Sequence, residues 1–401
     1  MPQNNHNKHA STISARTGER RHDHEWPRPE SMPIYQTSVF TFDDVDDVLE
    51  YYTDRPPGRY LYSRNGNPNV VSMQEIVAQL EHAENACASA SGMGAISAAI
   101  MAACSAGDHV LLSREIYGGT LVLLRTLLHR FSITVSLADF TNLSEVVSSL
   151  TPSTRLIIGE SITNPLLSVM DIKALADIAH DAGALLLIDN TFATPIVIRP
   201  IELGADIVVH SATKYLGGHS DVSGGVICGS SSFIEQANHV ITTIGSNLAP
   251  FDAWLIARGI KTLPLRFKQQ CLNAQTLAIW LAKDDRLQNV YYPALATHST
   301  HHLAQRQFAE ELYGAIVTIG LKGNRDAVNT FMRAVPSLPF APSLAGVTTS
   351  LSHPSTTSHR GFTEQERKAF GITDGLIRIS VGIENVKDLI EEIDAGLIAT
   401  T

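Results

Sequence analysis

From residue 109 onward, short apolar runs alternate with longer stretches whose apolar positions recur every three or four residues. Residues 109–112, 133–137, 156–159 and 184–188 have the length and the Val/Ile/Leu content of buried strands. Residues 119–130, 143–150 and 172–182 between them carry helical spacing. Such alternation predicts βα units and a mostly parallel sheet. Two further strands are predicted at 207–209 and 226–228, then a helix at 233–243. A long helical pattern over 250–281, broken near Thr262-Leu263-Pro264, reads as the connector to a second domain. That domain alternates again: strand 315–319, helix 325–334, strand 376–381, helix 386–398. The predicted architecture is α/β. It comprises an arm over 1–64, a large domain over 65–262 and a smaller C-terminal α/β domain over 263–401. Residues 1–30 show no periodicity and read as a mobile arm, 33–40 as an extended segment, and the Ser/Thr-rich stretch 348–358 as a loop.

Composition narrows the function classes. The 401 residues are 44% hydrophobic and 17% charged, which is globular and not disordered. The net charge of −10, with no basic run, argues against a nucleic-acid binder. Cys87, Cys104, Cys228 and Cys271 form no C-x-x-C pair and sit among apolar or small residues, as buried thiols do in a reducing compartment. No run approaches a membrane span and the N-terminus lacks an apolar signal core, so a cytoplasmic location is expected, with no membrane partner. His6, His9, His22 and His24 belong to the polar arm and are expected to bind no metal.

Candidate chemistry gathers where predicted strands end. Ile207-Val208-Val209 breaks into Ser211 and Thr213 around Lys214, before Gly217 and Gly218. A lysine between two buried strands has a lowered pKa and can form a Schiff base with an aldehyde, and flanking hydroxyls suit a phosphate ester. The combination points to pyridoxal phosphate; a solvated surface lysine is the alternative from spacing alone. Asp189 ends an apolar strand, where it wants a cation such as a protonated pyridine nitrogen, or else serves as a helix cap or ion-pair partner. Tyr117 and Asn164 follow other strands, placing them where ligands bind in parallel sheets. Ser91-Gly92-Met93-Gly94 opens a small-residue helix, which suits an anion or close packing equally. Tyr62 and Arg64 precede an Asn-Gly-Asn-Pro turn and can offer a hydroxyl and a guanidinium to a phosphate, or form an ordinary surface loop. Arg378 lies inside an apolar strand pattern and calls for an anion, from a substrate carboxylate or a structural acid.

The order of these features resembles the cysteine/methionine-metabolism family of pyridoxal-phosphate enzymes, which includes cystathionine γ-synthases, cystathionine lyases, methionine γ-lyases and O-acylhomoserine sulfhydrylases. The resemblance runs from about Pro33 to the C-terminus. It rests on Tyr62-Ser63-Arg64, Gly66-Asn67-Pro68, Ser91-Gly92-Met93-Gly94, Tyr117-Gly118-Gly119-Thr120, Glu160 with Asn164-Pro165, Asp189-Asn190-Thr191-Phe192, Ser211 to Leu216 and Arg378 to Gly382. It implies the type I pyridoxal-phosphate fold, as in aspartate aminotransferase. Lys214 would hold the cofactor and shuttle protons, and Asp189, with Thr191 beside it, would pair with the ring nitrogen. Tyr117 would stack on the ring and act as acid/base. Ser211, Thr213 and the backbone N–H groups of Gly92 and Met93 would hold the phosphate, joined by Tyr62 and Arg64 from a neighbouring subunit. Asn164, Thr349 and Arg378 would position an amino-acid substrate. A homotetramer, built as a dimer of dimers with shared sites, is implied too. The expected reaction is γ-elimination or γ-replacement on homoserine-type amino acids. The alternatives are β-elimination on cystathionine or cysteine conjugates, and a silent cofactor-binding protein.

The chain departs from the family at the substrate end. Gly119 stands where methionine γ-lyases carry a cysteine, Val122 where cystathionine enzymes usually carry an arginine, and Thr348 where they often carry a glutamate. Thr349 replaces a common serine, and Asn69-Val70 a common Thr-Arg. The two missing charges predict a pocket that tolerates an apolar distal group better than the second amino acid of cystathionine.

Overall fold

A computed structural model describes residues 8–18, 29–54 and 58–401. The strands, in chain order, are β1 (Asn85–Ser89), β2 (His109–Ser113), β3 (Thr134–Ala138), β4 (Thr154–Glu160), β5 (Leu185–Asp189), β6 (Ile207–Ser211) and β7 (Gly225–Gly229), then β8 (Leu287–Tyr291), β9 (Ile316–Leu321), β10 (Ser350–Ser352) and β11 (Leu376–Ser380). The first seven form one sheet in the order β1-β7-β6-β5-β4-β2-β3. Its central and far strands pair in parallel, and β7 alone runs opposite, between β1 and β6. The last four form a wholly antiparallel sheet in the order β10-β11-β9-β8.

The inner strands of the large sheet, β2 and β4 to β7, are covered on both faces, which is why they read as nearly unbroken apolar runs. Alternate residues still serve different cores. Leu111, Ile157, Leu186 and Val208 pack in one cluster, and Val110, Leu112, Ile158, Leu187 and Val209 in the other. The helix Gly92–Ala103 covers the second face, and the helices Pro68–Glu81 and Ile172–Asp181 cover the first.

Four sequence expectations change. Residues 10–16 are helical and not a patternless arm: Ile13 is 1% exposed, and the helix docks on Pro68–Glu81 and Leu263–Leu281. One isoleucine among small residues leaves no period, yet is enough to anchor one turn. His6, His22 and His24 lie outside the described residues, while His9 faces Glu310 at 3.4 Å. The stretch 119–130 is not one regular helix. It starts as Gly118–Val122, widens to π geometry over Leu123–Leu127 and tightens to a 3-10 turn over Leu128–Phe131, which lets Leu123, Leu124 and Leu128 all reach the core. The loop expected over 348–358 contains β10 and the 3-10 turn Pro354–Thr356. β1 was hidden in the sequence because Asn-Ala-Cys-Ala-Ser has no β-branched residue, and pairing with β7 makes it a strand.

Among the described residues, no helix is long and apolar enough to cross a membrane, and no group of three or more His, Cys, Asp or Glu could hold a metal ion.

Candidate active site

The carboxyl ends of the parallel strands open into a cavity of about 910 Å³. Tyr117 enters from the turn after β2, Glu160 and Asp189 from the ends of β4 and β5, and Ser211 from the end of β6, with Thr213 and Lys214 in the turn beyond. Gly92 and Met93 line it from the N-terminus of the helix that follows β1, and Arg378 reaches it from β11 of the small sheet.

Lys214 donates from Nζ to Ser343 Oγ at 3.0 Å. Burial first, and then the Arg378 guanidinium, pull its amine down to about 8. Asp189 sits deep in the fold and opens to the cavity. Burial raises its carboxyl above the usual range, opposed by hydrogen bonds from Thr191 and by His210. Thr191 N donates to Asp189 Oδ1 at 2.9 Å, and Ser211 N donates to Thr191 Oγ1 at 2.8 Å, so Thr191 ties two strand ends together. Gly92 has to be glycine: an added Cβ would lie 2.8 Å from Ser211 Cβ. The helix N-terminus therefore stands directly against Ser211, with backbone N–H groups and positive dipole facing the cavity.

Arg378 is 4% exposed, yet bonds only neutral oxygens: Nη1 donates to Asn164 Oδ1 (3.0 Å) and Nη2 to Ser343 O (3.1 Å), leaving Nε buried without a partner. Among the described residues it has no carboxylate partner, so the structural acid weighed from sequence is not its counter-ion. A buried cation in this state calls for an anionic ligand.

Two site residues carried no assignment from sequence. Glu160 is 6% exposed, and its two oxygens accept from Tyr117 N (2.8 Å) and Asn164 N (3.2 Å). Burial, and then neighbouring Asp189, push its carboxyl well above the usual range. Its place in a motif with Asn164-Pro165 was the only signal. Ser343, bonded to both Lys214 and Arg378, lies in the Pro339-to-Leu344 loop, where no periodicity marks it.

Three predicted residues lie elsewhere in this chain. Thr349 does not line the cavity: it is fully buried, its hydroxyl donates to Glu384 Oε2 (3.0 Å) and accepts from Gly382 N (2.9 Å), and these bonds direct it into the small domain. The structure thus places Thr349 away from the cavity where substrate binding was expected of it. Tyr62 and Arg64 are exposed and outside the cavity of their own chain; Arg64 Nη1 donates to Thr242 O at 2.9 Å. Gly119, in contrast, lines the cavity, and a Cβ there would lie 2.5 Å from Tyr117 Cε1, so a cysteine would displace that ring.

A lysine of lowered pKa, a half-buried carboxylate with no ion-pair partner among the described residues, and a helix N-terminus beside two hydroxyl residues fit the aldehyde, the ring nitrogen and the phosphate of pyridoxal phosphate. The fold and the site define a type I pyridoxal-phosphate enzyme. The profile of the family described as Cys/Met metabolism PLP-dependent enzyme matches residues 11–398, and the chain belongs to that family. It is 42% identical over 370 residues to L-methionine gamma-lyase of Porphyromonas gingivalis, covering 92% of each chain. It is 40% identical over 389 residues to O-succinylhomoserine sulfhydrylase of Pseudomonas aeruginosa, covering 97% of this chain and 95% of that one. The solved structure of cystathionine gamma synthase from Xanthomonas oryzae pv. oryzae in complex with cystathionine superposes with a TM-score of 0.92 at 34% identity over 98% of both chains.

Proposed function

We propose that the protein carries out γ-elimination or γ-replacement on homoserine-type amino acids, with Lys214 and Tyr117 as its catalytic residues. The chemistry supplied by bound pyridoxal phosphate is withdrawal of electrons from the substrate's Cα. Asp189, steadied by Thr191, holds the proton on the ring nitrogen and keeps that withdrawal strong. Gly92, Met93, Ser211 and Thr213 hold the phosphate, helped by Tyr62 and Arg64 of a second copy of the chain. Lys214, as a free amine, would take the proton from Cα, hand it on to the cofactor, and so be neutral again to take one from Cβ. Tyr117 assists departure of the group on Cγ. Arg378, Asn164 and Ser343 grip the α-carboxylate. Large apolar side chains left exposed along the N-terminal segment, Ile34, Val39, Val45, Leu49 and Tyr52, support assembly with further copies, as a dimer of dimers. Four buried free thiols favour a reducing, cytoplasmic setting.

The observation that carries this reading is Arg378, a buried guanidinium with two neutral partners and one unpaired N–H, set in the same cavity as Lys214. The test is product analysis with the holoenzyme. L-Methionine, or O-acetyl-L-homoserine with a thiol, is expected to give 2-oxobutanoate or a new γ-substituted amino acid. Arg378→Met is expected to lower kcat/KM on the order of 100-fold, mainly through KM. Pyruvate from L-cystathionine moves the assignment to β-elimination. A visible spectrum unchanged by every amino acid makes the protein a silent binder.

A further inference from the structure

The cavity has a second end. Beyond the turn that follows β2, its wall is built from Val122 and from residues of the segment 356–361. This segment lies directly on the turn that carries Tyr117: a Cβ on Gly118 would lie 2.3 Å from Ser358 O, and one on Gly361 would lie 3.2 Å from Val122 Cγ2. His359 (1% exposed) and Phe362 (3%) pin the segment into the protein, and Arg125 Nη1 bonds Glu366 Oε1 at 2.9 Å just beyond it. Between the two pins, Arg360 is exposed at the cavity wall.

The charges lining the cavity can be accounted for one by one. Glu160 and Asp189 are the acids, and Lys214, Arg378 and Arg360 the bases. Lys214 bonds Ser343, and Arg378 is held by Asn164 and Ser343. Glu160 is engaged by two backbone N–H groups. Arg360 has no side-chain hydrogen bond and no ion pair among the described residues. With Arg378 assigned to the α-carboxylate, Arg360 is the second cation of the wall open to a ligand, in a protein whose net charge is −10.

We propose that Arg360 is a specificity-determining residue that binds a carboxylate at the far end of the substrate's γ-substituent. The substrate class is then an L-homoserine derivative whose leaving group ends in a carboxylate, as a succinyl ester does and an acetyl ester or a methyl thioether does not. A guanidinium recognises a carboxylate through paired N–H donors, and beside a low-dielectric wall such bonds count for more than in open water. Val122 on the facing wall is apolar, so the cation absent at 122 is supplied from the 356–361 segment. This revises the expectation of a pocket suited to apolar distal groups. The assignment rests on the γ-chemistry proposed above.

The experiment compares O-succinyl-L-homoserine with O-acetyl-L-homoserine, using the same thiol and matched cofactor content, for the parent, Arg360→Met and Arg360→Lys. The parent is expected to favour the succinyl ester. Arg360→Met is expected to lose roughly tenfold in kcat/KM on that ester, through KM, while its acetyl-ester kinetics stay within about twofold. Arg360→Lys is expected to retain part of the preference, because it keeps the charge and loses the fork. Equal kinetics on the two esters in the parent, or a parallel loss on both in Arg360→Met, overturns the role of Arg360 and leaves the γ-chemistry standing. No turnover of either ester or of L-methionine by the parent overturns both, whereas turnover of L-methionine alone overturns the role of Arg360 and leaves the γ-chemistry standing.

Discussion

The two ends of the cavity are built differently. At the inner end, groups stand on strand termini and are locked by neighbours: Thr191 joins Asp189 to Ser211, Glu160 joins the turn of Tyr117 to Asn164, and Asn164 and Ser343 hold Arg378. At the mouth, Arg360 and Gly361 are exposed in a short segment fixed only by its flanks. Strand ends cannot shift without disturbing a sheet buried on both faces, whereas a loop side chain can change with little effect on the core. Reaction type is thus tied to the sheet and substrate choice to the loop. Perturbations of the inner end should cost rate broadly, and those of the mouth should cost selectivity alone.

The largest effect is expected at Lys214. Lys214→Ala is expected to lower activity on the order of 10⁴-fold. The amine must be neutral to attack an aldehyde, and its value of about 8 lies below the ordinary 10.5 because burial and Arg378 disfavour the charged form. Capture of pyridoxal phosphate by the cofactor-free protein, followed by visible absorbance, is therefore expected to speed up about tenfold per pH unit below this value and to level off above it. A rate that keeps climbing past pH 9 means a solvated lysine, and the contrast between a buried inner end and an open mouth then fails.

That inner end was largely legible in the sequence, for a physical reason. Strands β4, β5 and β6 are covered on both faces, so they appear as apolar runs, and polar residues ending such runs stand out: Asp189, Ser211 and Lys214 were found this way, and Arg378 by its intrusion into an apolar pattern. What stayed hidden depends on partners far along the chain. Ser343 matters because folding brings it to Lys214 and Arg378, 129 and 35 residues away. Arg360 looks like any loop arginine until the segment is seen on the turn of Tyr117. β1 needs β7 to be a strand at all, and the antiparallel course of β7 within a parallel sheet leaves no mark on Val226-Ile227-Cys228.

Glu160 sharpens the comparison further, because it acts through backbone groups and not on a ligand. Glutamine keeps one acceptor and turns an NH₂ group toward the other backbone N–H, leaving a buried donor unpaired at a cost of about 1–3 kcal/mol. Glu160→Gln is expected to raise the KM for the amino acid through Asn164 and Arg378, and to lower kcat through Tyr117, each several-fold. The ratio of succinyl to acetyl ester kinetics should stay unchanged, since the mouth is untouched. A change in that ratio would mean that the two ends are coupled, and the division between reaction and selectivity would not hold.

Thr349 gives the smallest effect on catalysis and the cleanest control. It belongs to neither end: it lies one residue before β10, and its hydroxyl links Glu384 to Gly382 inside the small domain. Its neighbour Thr348 is exposed outside the cavity, which is why a family pattern spanning both positions misleads here. Thr349→Val keeps the shape and removes the hydroxyl, leaving the Gly382 N–H and the Glu384 carboxylate each short of a partner. The expected loss is about 1–3 kcal/mol of stability, read as a lower midpoint in denaturant at an unchanged slope. Both kcat and KM should stay within about twofold, for either ester. If KM rises while stability holds, Thr349 touches the substrate after all, and the small domain contributes more than Arg378, Ser343 and the 356–361 segment to the site.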